Sequence, residues 1–187
     1  MGRPLPTVRS LIAWAVFALS AVAHPADAAD LGEYQVKAGF LFNFAKFTEW
    51  PAEAFAAHDP RLGLCIIGKD PFGGAVLAAL ESRAIGSREF HTRRGVTPED
   101  LGGCQVLFIA LSEDRNLLAI LRAVAKRPIL TISDIDGFVD AGGMIGLLTL
   151  EERIQFDVNL AACQQASLKP SSQMLKLARQ VFGGKGR

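Results

Sequence analysis

The sequence predicts an α/β fold: a single three-layer domain whose mostly parallel sheet is flanked by helices and closed by a C-terminal antiparallel hairpin. Three observations predict it. Between residues 62 and 133, short apolar runs typical of strands buried on both faces alternate with segments of helical periodicity. In the last third Met144 to Leu150 is apolar on both faces while Arg153 to Val158 alternates polar and apolar residues, a pattern that reads as an antiparallel hairpin. After residues 1–29 are set aside as a leader, 158 residues remain, enough for one sizeable core and too few for two.

The leader is expected at residues 1–29. Arg3 and Arg9 form a positive start, Leu11 to Ala23 is an apolar run broken only by Ser20, and Ala26-Asp27-Ala28 offers a small-residue cleavage site. Ala21-Val22-Ala23 is a second such site. The run falls short of the roughly 20 residues that span a bilayer, so a cleavable export signal is expected rather than an anchor. No cysteine stands nearby to take a lipid, and there is no twin-arginine pair. The domain proper is expected at 30–182, with a flexible tail at 183–187.

Loss of residues 1–29 equalises acidic and basic side chains. A balanced surface gives no support for nucleic-acid binding, which needs a basic face to neutralise phosphates. No second segment is long and charge-free enough to cross a membrane.

Leu31 to Glu49 carries two stripes at helical spacing, Val36-Phe40-Phe44-Phe47 and Tyr34-Ala38-Leu41-Ala45. Trp50-Pro51 ends that helix. Leu62 to Gly68 is a buried strand. Asp70-Pro71 then predicts an N-cap with proline in the first turn and a helix to about Arg83. Ser87 to Arg94 reads as a strand, and Thr97-Pro98-Glu99-Asp100 as a turn closed by Gly102-Gly103. Val106 to Leu111 is a strand, Ser112-Glu113-Asp114 opens a helix to about Lys126, and Ile129 to Ser133 is the next strand. Met144 to Leu150 and Arg153 to Val158 form the hairpin, joined at Glu151-Glu152, a pair poorly suited to a tight turn. Ser171 or Ser172 caps a final helix with Met174, Leu175, Ala178 and Val181 or Phe182 on its apolar face.

Three cysteines remain, in a compartment where thiols tend to pair. Cys65 lies inside one apolar run and Cys104 just before another. If those runs are neighbouring strands their sulfurs can meet; two reduced core cysteines are the alternative. Cys163 reads as a buried apolar residue or a free thiol.

Motifs of chemistry are scarce. His58 and His91 stand at no metal-ligand spacing from cysteine or carboxylate. There is no G-x-S-x-G elbow and no C-x-x-C pair, so neither an enzyme nor a cofactor is expected. Gly68 to Gly74 matches neither nucleotide-binding fingerprint, and Asp70 would repel a phosphate. Asp134-Ile135-Asp136-Gly137 follows a strand's carboxyl end, where open α/β sheets bind ligands; a plain Asp-Gly turn is the plainer reading. Arg83, Arg88, His91, Arg93 and Arg94 form the basic cluster. On a strand, Arg88 and Arg94 share a face with Phe90 and Thr92, while His91 and Arg93 take the other. The cluster is either an edge guarded by charge or a surface for an anionic ligand or acidic partner. Arg88, His91, Arg93, Arg94, Asp134 and Phe138 are the candidate partner- or ligand-binding residues, and no metal or catalytic residue is assigned.

Lys37-Ala38-Gly39-Phe40-Leu41-Phe42-Asn43-Phe44-Ala45-Lys46-Phe47 with Trp50-Pro51, and Leu64-Cys65-Ile66-Ile67-Gly68-Lys69-Asp70-Pro71-Phe72-Gly73, resemble the opening signatures of the YfiR family. Cys104 to Ile109, Leu130 to Asp134, Gly137-Phe138, Gly142 to Ile145, Ile154 to Asn159 and Ser171 to Ala178 follow in that family's order. The resemblance implies a periplasmic, non-catalytic regulator that binds the outward-facing sensory domain of an inner-membrane diguanylate cyclase and represses it, lowering cyclic di-GMP and with it biofilm formation. It also implies homodimers and a core disulfide mapping onto Cys65 and Cys104. The second cysteine pair known near the family's C-terminal hairpin is absent here. A periplasmic small-ligand sensor serving another signalling system is the alternative.

Overall fold

The computed structural model describes residues 25–55, 59 and 61–183, with side chains from residue 32 onward. Positions 1–24 of the expected leader, His58 and Gly184 to Arg187 of the expected tail lie outside the described residues.

The first helix, α1 (Pro25–Lys46), is anchored by the stripe that contains Ala38, Leu41 and Ala45, with Phe44 joining it; all four are buried. Val36, from the other expected stripe, is 52 % exposed. The helix ends where the Thr48 hydroxyl donates to the Phe44 carbonyl at 2.8 Å, before Trp50-Pro51. The short strand β1 (Thr48–Glu49) follows.

β2 (Leu62–Ile67) is buried at every position, as a strand covered on both faces must be. The second helix, α2 (Gly73–Glu81), starts later and ends earlier than Asp70-Pro71 and Arg83 predict. Asp70 Oδ1 accepts from the Phe72 amide at 2.9 Å, closing a turn ahead of the helix rather than capping it. Phe72 drives into the core, its ring 4.8 Å from that of Phe108, which moves the helix start past it. A two-residue strand β3 (Ala84–Ile85) leads into β4 (Arg88–Arg94).

β5 (Val106–Ile109) is again wholly buried. The helix expected from Ser112 begins as a 3-10 turn over Leu111–Asn116 and becomes α3 only at Leu117–Val124. Next come β6 (Leu130–Ser133), β7 (Ile145–Leu150) and β8 (Arg153–Asn159). The β7–β8 hairpin forms as expected, and Glu151 and Glu152 both take positive φ, 49° and 61°. That conformation matches the twist of a two-residue hairpin and is costly for residues carrying a Cβ.

Three short elements complete the chain before its last strand: α4 (Leu160–Gln165), β9 (Lys169–Pro170) and α5 (Ser172–Leu177). Ser171 caps α5 by accepting from the Met174 amide at 3.2 Å. Val181 and Phe182 do not lie on that helix; they belong to β10 (Gln180–Phe182). Arg179 diverts the chain: its amide donates to the Phe156 carbonyl at 2.8 Å, and its guanidinium grips the buried carboxylate of Asp157 with two bonds, the Nε one at 2.9 Å.

Among the described residues the main sheet has eight strands in the order β10-β8-β7-β6-β5-β2-β4-β3, with β1 and β9 pairing separately. β4, β2, β5, β6 and β7 run parallel, β8 is antiparallel to β7, and β10 is parallel to β8. On one face Leu64, Ile66, Phe108, Ile132, Ile145 and Phe156 pack with residues of α1, α2, α4 and α5. On the other, Cys65, Ile67, Leu107 and Ile109 pack under Leu117, Ile120 and Val124 of α3. Three layers result.

Cys65 and Cys104 are joined by a disulfide on the α3 face, their Cα atoms 5.7 Å apart. Gly63 makes the approach feasible, because a Cβ there would overlap the Gly103 carbonyl. The Gly63 amide donates to Gln105 Oε1 at 2.7 Å and the Gln105 amide to the Gly63 carbonyl at 2.9 Å, fixing the register beside the bridge. Among the described residues no helix is long and apolar enough to cross a membrane.

Candidate functional site

The basic cluster lies along β4, near one edge of the sheet. Its alternation places Phe90 inward, stacked on Phe42 at 5.4 Å between ring centroids. On that face the Arg88 guanidinium lies 3.6 Å over the ring of Phe55, and Arg83, from the α2–β3 connection, 3.6 Å over that of Phe42. Arg94 Nη1 stands 3.5 Å from Asp70 Oδ2. On the opposite face Arg93 bonds Asp100 Oδ2 at 2.5 Å and the Gly102 carbonyl at 2.7 Å, and reaches to 3.9 Å from the Cys104 sulfur. His91 is half-buried on that side.

β3 covers only the start of β4, pairing Ala84 with Glu89 and Ile85 with Arg88. Beyond it, Glu81 does the work of a neighbouring strand. Its Oε1 accepts from the Thr92 amide at 2.8 Å and the Thr92 hydroxyl at 2.6 Å, and those two bonds hold the Glu81 carboxyl below its usual range. The edge is therefore plugged by a carboxylate and surrounded by locally paired charges, a standard protection against edge-to-edge association.

Asp134 and Phe138 follow β6, which β5 and β2 separate from β4, so the candidates do not converge on one site. The Asp134 side chain is 8 % exposed. Its Oδ2 accepts from Lys37 Nζ at 2.5 Å and from the Tyr34 hydroxyl at 2.8 Å, while Oδ1 is buried without a partner. Lys37, equally buried, also reaches Glu33 at 2.7 Å, and Glu33 accepts from the Thr149 hydroxyl at 2.8 Å. The Lys37 bond holds the Glu33 carboxyl below its usual value of 4.5. This network ties α1 to the carboxyl end of β6 and to β7. Phe138 is fully buried; Gly143, whose Cβ would collide with the Phe138 ring, makes room for it.

Lys37 and Asp157 are structural anchors that pattern reading passed over, and Tyr34, read as a stripe residue, also bonds Asp134 through its hydroxyl. Lys37 had a signal: it interrupts a buried stripe at helical spacing from Tyr34 and Leu41. Trp50 Nε1 is a second buried polar atom without a partner. Cys163 is buried and free, and burial pushes its thiol up to about 12. Among the described residues no group of three or more His, Cys, Asp or Glu side chains is placed to hold a metal ion.

Two solved structures are similar in outline. The ABC domain from Streptococcus pneumonia, solved in complex with L-Trp, is 7 % identical, with a TM-score of 0.49 over 65 % of this chain and 55 % of that one. A conserved domain protein from Vibrio cholerae o1 biovar eltor is 8 % identical, with a TM-score of 0.49 over 79 % of this chain and 60 % of that one. The chain thus spans little more than half the length of either, and at this level the likeness assigns neither fold nor activity. A family model described as YfiR/HmsC-like matches residues 34–179, from the tyrosine that bonds Asp134 to the arginine that bonds Asp157. The chain belongs to the YfiR/HmsC-like family.

Proposed function

We propose that this chain is a periplasmic regulatory protein that binds the periplasmic sensory domain of an inner-membrane diguanylate cyclase and holds it inactive, lowering cyclic di-GMP. Membership of the YfiR/HmsC-like family over residues 34–179 is the observation that carries this reading. The Cys65–Cys104 bridge supports the compartment, because a disulfide in a domain core persists where thiols are oxidised. In this reading residues 1–29 are the cleaved export signal, residues 30–182 the regulatory domain and 183–187 a flexible tail. The chain acts without chemistry of its own, as a dimer. Of the candidate contact residues, Arg88, His91, Arg93 and Arg94 offer side chains at the surface of β4, whereas Asp134 and Phe138 act from inside by fixing the loop after β6.

Co-purification tests it. A tagged chain exported to the periplasm should bring down one inner-membrane cyclase through that enzyme's periplasmic domain. Recovery of the tagged chain without any cyclase, from membranes shown to contain cyclases, contradicts the proposal.

A further inference from the structure

We propose that the crevice at the carboxyl ends of β4, β2 and β5 binds a small organic cation, an amine carried on an apolar body. The topology places it. From β2 the chain leaves through α2 on one face of the sheet, and from β5 it leaves through α3 on the other; in open α/β sheets ligands bind where successive connections part in this way. A cavity of about 460 Å³ opens there, within the range of small-molecule sites. This inference is independent of the repressor reading and survives its failure.

The chemistry of the walls selects the ligand. Ile67, Val96 and Ile120 supply a buried apolar floor, which suits a hydrocarbon or aromatic body. The polar side chains are two carboxylates, Glu99 and Glu113, the hydroxyl of Thr97 and the amide of Asn116, and among the described residues no basic side chain lines the cavity. Such a rim attracts a cation and repels an anion. Glu113 is preorganised: Asn116 Nδ2 donates to its Oε2 at 2.9 Å, and its stem lies over Gly68, where a Cβ would overlap it. Gly68 has φ of +88°, so glycine there serves both the turn out of β2 and the placement of this carboxylate. A bond from the Thr97 side chain holds the Glu99 carboxyl below its usual range.

The test is a nuclear magnetic resonance titration of the isotopically labelled chain with benzylamine, benzyl alcohol and benzoate. Benzylamine should give saturable shifts confined to the amides of Gly68, Val96, Thr97, Glu113 and Ala119. Benzyl alcohol should bind at least tenfold more weakly and benzoate not at all. Glu113→Gln should weaken benzylamine about tenfold, the loss of one charge-assisted hydrogen bond. Ala119→Phe and Ala123→Phe, at exposed positions of α3 beside the cavity, should each fill it and abolish binding while the melting transition is kept. No saturable shift at millimolar benzylamine, equal response to all three compounds, or full binding by a cavity-filled variant that still melts cooperatively would overturn the proposal.

Discussion

Lys37 and Asp134 show how a single buried pair can set the position of a helix. The ammonium reaches both Asp134 and Glu33 from inside the domain, 97 residues from its main partner in sequence. Removing one member leaves the other charge buried and uncompensated, so Lys37→Met should destabilise the chain by about 3–5 kcal/mol in urea unfolding. Adding Asp134→Leu to Lys37→Met should recover most of that loss, because a well-packed apolar pair is close to neutral beside a buried ion pair. Glu33 adds a pH signature. Its carboxyl is lowered in the folded state, so its contribution is present above its unfolded value of 4.5 and fades as pH falls through the lower folded value. Glu33→Gln should therefore flatten stability only on the acid side of that value, seen in melting curves from neutral pH downward. Cys163 is predicted to be inert: a thiol reagent at pH 8 should find no reactive group in the native protein and one in denaturant, the other two cysteines being bridged. At this scale the sequence was only partly legible. Cys65 and Cys104 were readable as a pair because each sits in or beside a strand-like run. Lys37 carried only its helical spacing from Tyr34 and Leu41 as a signal, and a cation in a helix normally reads as a solvated position until its distant partner is known.

Elements were more legible than their ends. β2 and β5 announced themselves as apolar runs and β6 as a short strand after Pro128, and the β7–β8 hairpin survived an unfavourable turn. Glu151 and Glu152 occupy a conformation that asparagine and glycine adopt at lower cost. Glu151→Asn with Glu152→Gly should stabilise the hairpin by about 1 kcal/mol, measurable as a raised denaturation midpoint with unchanged slope. The misread boundaries share a cause in tertiary structure. α2 starts late because Phe72 enters the core, and the last helix stops at Leu177 because Arg179 is drawn to Asp157 on β8. Neither attraction is local in sequence. At the β4 edge, Glu81→Ala removes the acceptor for the Thr92 amide and hydroxyl. Self-association should rise, detectable by sedimentation velocity, while a Glu81→Gln change that keeps an acceptor should raise it less.

For the whole molecule, the three-layer order followed from alternating strands and helices, since parallel neighbours need covered faces. The crowding of α1, α2, α4 and α5 on one face and of α3 alone on the other was not legible, because it depends on where each crossover passes. The disulfide closes a separation of 39 residues, joining β2 to the segment just before its parallel neighbour β5. Replacing both cysteines with serine should cost about 4 kcal/mol in the chain-entropy account, and lower the melting temperature by roughly 10 °C. The functional reading rests on the family assignment and on export. It is tested most directly by the cyclic di-GMP content of cells lacking this chain, compared with cells in which it has been restored. The account predicts a clear rise on loss and a return to the starting level when the exported chain is supplied. An unchanged level in both would contradict it.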